Sequence, residues 1–143
     1  MLKNVQLYTD SIFRPMYIDS NNTTPITGDQ PVATLLRENL EDLLIKYRVN
    51  LALWGHHHSY QRTCPVYNMT CGSDSEFPVH VVIGMAGFQL SLTTWAVNPP
   101  WIEKVNIQDW GYTLIETTAT QLRMQYFTNE NPSEPWDEFT IGL

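Results

Sequence analysis

Apolar residues recur at helical spacing between Pro31 and Tyr47. Val32, Leu36, Leu40, Leu43 and Tyr47 form one stripe, and Arg37, Glu38, Glu41, Asp42 and Lys46 fill the other face. This period predicts an amphipathic helix over VATLLRENLEDLLIKY. Pro31 suits its first turn, where a missing N–H costs nothing. Ahead of the helix, VQLYTDSIF alternates enough to predict a short strand. RPMYIDSNNTTPITGDQP, polar and broken by Pro and Gly, predicts a long loop. Behind the helix come four apolar residues in a row, LALW, Leu51 to Trp54. Such a run predicts a strand buried on both faces, as in a parallel sheet packed by helices. Strand, helix and strand make a βαβ unit over residues 1–63. In sheets of this kind ligands bind beyond the carboxyl ends of the strands. The second strand ends at a histidine run and the first near Phe13, so the two turns are expected to share one rim.

The pattern changes after residue 64. VHVVI is β-branched and strand-like, and GMAG follows as a tight small-residue turn. FQLSLTTWAVNPPWIEKVNIQDW, with its Pro pair and three Trp, predicts a loop. GYTLIETTATQLRMQYFT divides at TAT into a hairpin, and DEFTIGL is a candidate last strand. Residues 64–143 therefore read as mainly antiparallel sheet. The whole reads as one α/β domain with an α+β tendency in its second half.

Composition narrows the function classes. A chain of 143 residues suits one domain, and one of this length buries roughly 70% of its unfolded surface. Hydrophobic residues make up 43% and charged residues 16%, which excludes a disordered chain. The net charge of −7 argues against a nucleic-acid partner. No apolar run approaches the roughly 20 residues of a membrane span. MLKNVQLYTDSIF lacks the apolar core and small-residue cleavage site of a signal peptide, so nothing in the chain itself explains secretion. Other features point outward all the same. Cys64 and Cys71 enclose PVYNMT and are either a disulfide or two free thiols; spacing alone leaves both open. Asn21, Asn22 and Asn68 each begin an N-x-S/T sequon, and Asn68 lies between the cysteines.

Three of the four histidines sit together in LALWGHHHSYQR. A His-x-His pair at a strand end places two imidazoles on one side of an extended backbone. His56 and His58 would converge, and His57 would face away. Neutral imidazole ligates Zn, Fe, Mn and Ni. The competing reading is a set of surface or hydrogen-bonded histidines. His80, at the start of its own strand, is expected to be structural. A catalytic metal needs about three protein ligands and an open position, and the carboxylates in nearby predicted loops are Asp10, Asp19 and Asp74.

LALWGHHHSYQRTCPVYNMTC resembles the last metal-binding motif of the purple acid phosphatases: Gly-His-x-His, an aromatic residue, then a Glu/Gln-Arg pair, with Gln61 here. RPMY, ahead of the helix, resembles the segment that follows another family metal motif. FPVHVVIGMAG resembles the strand after the cysteine loop, particularly in the larger plant-type members, and WGYTLIETTATQLRMQYF resembles the closing hairpin. The resemblance implies half of a four-layer α/β/β/α sandwich and a binuclear centre, Fe(III) beside Zn, Fe or Mn. His56 would ligate the divalent metal and His58 the ferric ion, for hydrolysis of phosphate monoesters. It also implies a secreted, vacuolar or lysosomal setting. The chain departs from the family in two ways. The motifs that supply two aspartates, a tyrosine and an asparagine are expected to be missing ahead of Met1. Where the family has a ligating histidine before RPMY, this chain has Phe13. The expectation is a truncated chain inactive alone, or a degenerate non-catalytic binding module, with an uncovered sheet open to self-association.

Overall fold

In the computed structural model of the chain, residues 30–55, 57–90 and 100–143 are described. Phe13, Asn21, Asn22, His56, Asp10, Asp19 and the predicted first strand lie outside them. The helix α1 spans Gln30–Lys46, and eight strands follow: β1 Leu51–Trp54, β2 Tyr60–Tyr67, β3 Thr70–Cys71, β4 Val79–Ile83, β5 Ile102–Asn106, β6 Gly111–Thr117, β7 Gln121–Thr128 and β8 Asp137–Gly142. The first sheet runs β1-β4-β2-β3, with β5 also on β2, and the second runs β6-β7-β8. β1 and β4 are parallel, and every other described pairing is antiparallel.

Two apolar layers hold these parts together. Tyr60, Val79 and Val81 of the first sheet meet Met124, Tyr126 and Ile141 of the second, with Met85 and Leu90 closing the edge. On the other side of the first sheet, Leu36, Leu40 and Leu44 of α1 pack on Cys64, Val66, Trp54 and Trp101. The described residues thus form three layers: helix, sheet and sheet.

Several elements differ from the sequence pattern. The buried helix stripe ends at Leu44. Leu43 and Tyr47 are exposed, at 44% and 70%. A turn of 3.6 residues lets an i, i+4, i+8 row hold one face, whereas Leu43 rotates off it. Glu41 takes part of that buried face because its carboxylate accepts the Asn68 N–H at 2.9 Å. The helix closes as a Schellman turn around Arg48, at φ 52°, with Arg48 N–H on the Ile45 carbonyl and Val49 N–H on the Leu44 carbonyl. The LALW run does not bury both faces: Leu53 is 42% exposed, and β1 pairs only with β4 among the described residues.

The cysteine segment is a strand, not a loop. β2 continues through Cys64, and a two-residue turn at Asn68 and Met69 returns it as β3. Cys64 and Cys71 form a disulfide, with Cα atoms 5.8 Å apart. Closing so short a loop stabilises by roughly 2.5 kcal/mol in the chain-entropy account. Both turn residues have positive φ, 47° for Asn68 and 61° for Met69, the geometry of a type I′ hairpin. Asparagine tolerates that region; an unbranched methionine is held there at a cost. Met69→Gly is therefore expected to raise stability by about 0.5–1 kcal/mol, the relief being partly offset by a freer unfolded chain. A urea midpoint equal to or below that of the parent would contradict it.

β2 also changes sides. Tyr60 and Arg62 reach the second sheet, yet Cys64 and Val66, of the same parity, pack toward the helix. Register shifts between Arg62 and Pro65, and between Arg62 and Thr63, mark the bulge that inverts the faces. The stretch predicted as a Trp-rich loop contains β5, whose Tyr60↔Asn106 to Thr63↔Ile102 pairing covers the open side of β2.

Candidate functional site

β1 leads at Trp54 into a turn that ends where β2 begins at Tyr60. The turn is tight: the Ser59 N–H donates to the His57 carbonyl at 2.9 Å, and the Gly84 N–H donates to the Ser59 carbonyl at 3.1 Å. The chain leaving β4 is pressed against it. A Cβ on Gly84 would lie 1.9 Å from the His57 carbonyl oxygen, so only glycine fits without moving the backbone. Gly84→Ala is expected to cost about 1–3 kcal/mol, the usual penalty of overpacking, and to displace the histidine turn. Shifts in the His57 and His58 imidazole NMR signals would check it; an unshifted, equally stable variant would contradict it.

The two described histidines of the turn take opposite tautomers. His58 Nδ1 lies 2.7 Å from the Gln89 carbonyl oxygen, which can only accept. The proton is thus on Nδ1 and the ring lone pair on Nε2. His57 is buried, with Nδ1 2.7 Å from Ser59 Oγ and 3.2 Å from Gln61 Nε2. Gln61 Nε2, which can only donate, lies 3.2 Å from His57 Nδ1 and 2.8 Å from Ser59 Oγ, so Nδ1 accepts and the His57 proton is on Nε2. His57 is folded into a buried polar cluster with Ser59 and Gln61. A glutamate at position 61 would lack the amide donor that this arrangement uses.

His80 is a structural histidine, as its position suggested. It is fully buried on β4, where Trp54 Nε1 donates to its Nδ1 at 3.0 Å and the two rings lie within 3° of one plane. Burial pushes its pKa down to about 3. Indole can only donate, so a proton on Nδ1 would face the indole N–H.

Beside the turn, Arg62 joins the two sheets. Its Nε and Nη2 donate to Asp137 at 2.6 and 3.0 Å, and its Nη1 pairs with Glu103. The Tyr60 hydroxyl donates to the same Asp137 carboxylate at 2.8 Å. Burial first, then the Asp137 charge, raises the Tyr60 pKa. The guanidinium also lies 4.8 Å from the Phe139 ring centre. Sequence reasoning noted the Gln-Arg pair as part of a motif and missed this role. Asp137 at the head of a predicted strand was its only signal.

His58 has the form of a metal ligand: metal-bound imidazoles generally donate their other N–H to a carbonyl or carboxylate. Among the described residues, however, no group of three or more His, Cys, Asp or Glu converges on a metal position. Asp74 accepts the Gly142 N–H at 3.2 Å instead. The described residues supply one suitable ligand and do not by themselves fit a binuclear centre.

Comparison with known proteins places these features. The family described as iron/zinc purple acid phosphatase-like protein C matches residues 77–138. A solved purple acid phosphatase from yellow lupin (Lupinus luteus) seeds superposes with a TM-score of 0.66 at 28% identity, over 73% of this chain and 19% of the other. The chain belongs to the purple acid phosphatase family. Human acid phosphatase type 7 is 36% identical over 112 residues, 71% of this chain and 25% of that protein. Probable inactive purple acid phosphatase 9 of Arabidopsis thaliana is 40% identical over 97 residues, 67% of this chain and 13% of that protein. The chain thus spans a quarter or less of either relative. The described part of this purple acid phosphatase family member comprises the helix, the histidine turn, the strands and the disulfide-closed hairpin.

Proposed function

We propose that this chain contributes the histidine wall of a binuclear metal site that hydrolyses phosphate monoesters, and that the site is completed by residues outside those described. The observation that supports it most is His58, held at a strand exit with Nδ1–H on the Gln89 carbonyl and its lone pair on Nε2. His56 and His58 would each hold one metal, Fe(III) beside Zn, Fe or Mn. When bound, the metals would fix phosphate and make a bound water nucleophilic. This chain's own part is to orient imidazoles: Gln89 sets His58, and Ser59 with Gln61 sets His57. The disulfide and the exposed Asn68 sequon support an oxidising, secretory destination.

A second reading is a degenerate binding module. Phe13 favours it, since phenylalanine cannot ligate a metal, and relatives bear the name probable inactive purple acid phosphatase. Assay of p-nitrophenyl phosphate with ferric and zinc ions separates the two readings. The chain alone is expected to be silent, and turnover is expected on adding a segment with the family's aspartate motifs. That turnover should disappear in His58→Ala. Turnover by the chain alone, or undiminished in His58→Ala, would overturn the first reading. Silence in both mixtures favours the second.

A further inference from the structure

In the β2–β3 hairpin a tight turn and a sequon coincide. Asn68 and Met69 form the turn, and Tyr67 stands directly opposite Thr70 across it. Asn68 and Thr70 are also the first and third residues of an N-x-T triplet. Asn68, Met69 and Thr70 are all exposed. The bonds that hold Asn68 use its backbone. Its N–H donates to Glu41 Oε1 at 2.9 Å, and its carbonyl accepts from the Thr70 hydroxyl at 3.4 Å. A group added to the side-chain nitrogen would break neither. Tyr67, the residue before the asparagine, is half-buried, and its ring is held in place. Its hydroxyl donates to Asp42 at 2.9 Å, and the ring lies tilted against Phe77, with centres 5.5 Å apart. The Cys64–Cys71 bond closes the same hairpin. The histidine turn is at the other end of β2, roughly 25 Å along the strand, so a bulky group on Asn68 leaves it clear.

We propose that Asn68 carries an N-linked glycan whose first N-acetylglucosamine packs on the Tyr67 ring and braces the β2–β3 turn. The donor is a lipid-diphosphate oligosaccharide of the secretory pathway. Asn68 Nδ2 attacks its anomeric carbon. The N–C bond forms and the C–O bond to the diphosphate breaks. The lipid diphosphate leaves with the electron pair, and the amide gives up one proton. A sugar ring presents C–H groups whose weakly positive hydrogens suit the negative face of an aromatic ring. Asn68 follows Tyr67 directly, so the sugar is attached beside that face. Asp42 and Phe77 already hold the ring, so little ordering is needed to cover it. The proposal rests on the secretory destination argued above and not on the metal reading.

The test uses the whole chain, made in a eukaryotic host behind a cleavable secretory leader. Asn21→Gln and Asn22→Gln leave Asn68 as the one sequon. An endoglycosidase trims the glycan to a single N-acetylglucosamine, which peptide mass spectra are expected to place on Asn68. Against the same chain made sugar-free in bacteria, the sugar should raise the folding equilibrium constant about fivefold in urea titrations. In Tyr67→Leu, prepared in both forms, that rise should vanish. Each comparison is within one variant, so the lost Asp42 and Phe77 contacts cancel. A measurement without any variant supports it: the ring current of Tyr67 should shift the sugar-ring proton signals upfield. Three results would overturn the proposal: a bare Asn68, an equal rise with and without the tyrosine, or sugar protons at the shifts of a free glycopeptide. The leader imposes the route, so these failures count against the Asn68 site itself. The destination fails separately, if the native protein is found in the cytosol.

Discussion

Asp137→Ala should unfold the protein more readily than any other single change to a charged residue described above, by about 3–5 kcal/mol. Asp137 is 4% exposed and Arg62 8%. The aspartate accepts from two guanidinium nitrogens and from the Tyr60 hydroxyl. Its removal leaves a buried cation whose remaining carboxylate partner, Glu103, is half in water, together with an orphaned phenol. The cost is chiefly that of stranding buried polar groups, since the intact pair gains little over an apolar replacement. The triple variant Tyr60→Phe, Arg62→Met, Asp137→Leu should accordingly recover most of the loss. Urea unfolding of both variants decides it: a single variant within about 1 kcal/mol of the parent would show that water reaches and solvates Arg62.

The second large effect is acid lability centred on His80. Its imidazole stays neutral in the fold down to about pH 3, whereas in the unfolded chain it takes a proton near 6.5. Below pH 6.5 the unfolded state therefore binds more protons, and stability falls as pH falls. The slope approaches about 1.4 kcal/mol per pH unit and the loss reaches about 3 kcal/mol by pH 4. Stability is fully present above pH 6.5. Glu138 adds a separate, lower window. Its Arg123 partner lowers its pKa from 4.5, so its contribution is present above that value and lost further into acid. Between pH 6.5 and 4.5 the histidine dominates. His80→Gln keeps an acceptor for the Trp54 indole and cannot titrate, so its unfolding midpoint should be nearly flat over that interval. Parallel acid limbs for parent and variant would assign the lability to another group.

The sequence revealed those elements whose pattern matched one environment. The helix, β4, the β6–β7 hairpin and β8 each bury one face or one run, and their periods show it. β2 escaped because its buried positions include Gln61, Arg62 and Thr63, which are acceptable inside only because Ser59, Asp137 and His80 answer them. Partners distant in the chain leave no local signal. β5 was hidden among Trp and Pro residues, and only its pairing with β2 defines it. The site was legible as a motif: His58, Gln61 and Arg62 were all singled out in it. The tautomers were not, because they depend on Gln89 and on the turn that brings Ser59 back to His57.

The position of β2 has a consequence for synthesis. Its turn partner β3 follows at once, so the hairpin and its Cys64–Cys71 bond can form as soon as residue 71 has emerged. The other flanks of β2 are β4 and β5, which end at Ile83 and Asn106. Until those residues leave the ribosome, both edges of the strand after the histidine turn are open, and non-local pairing is slow even then. The cysteine pair can thus come together before the histidine turn can be set, and for that interval the unpaired edges of β2 are open to wrong partners.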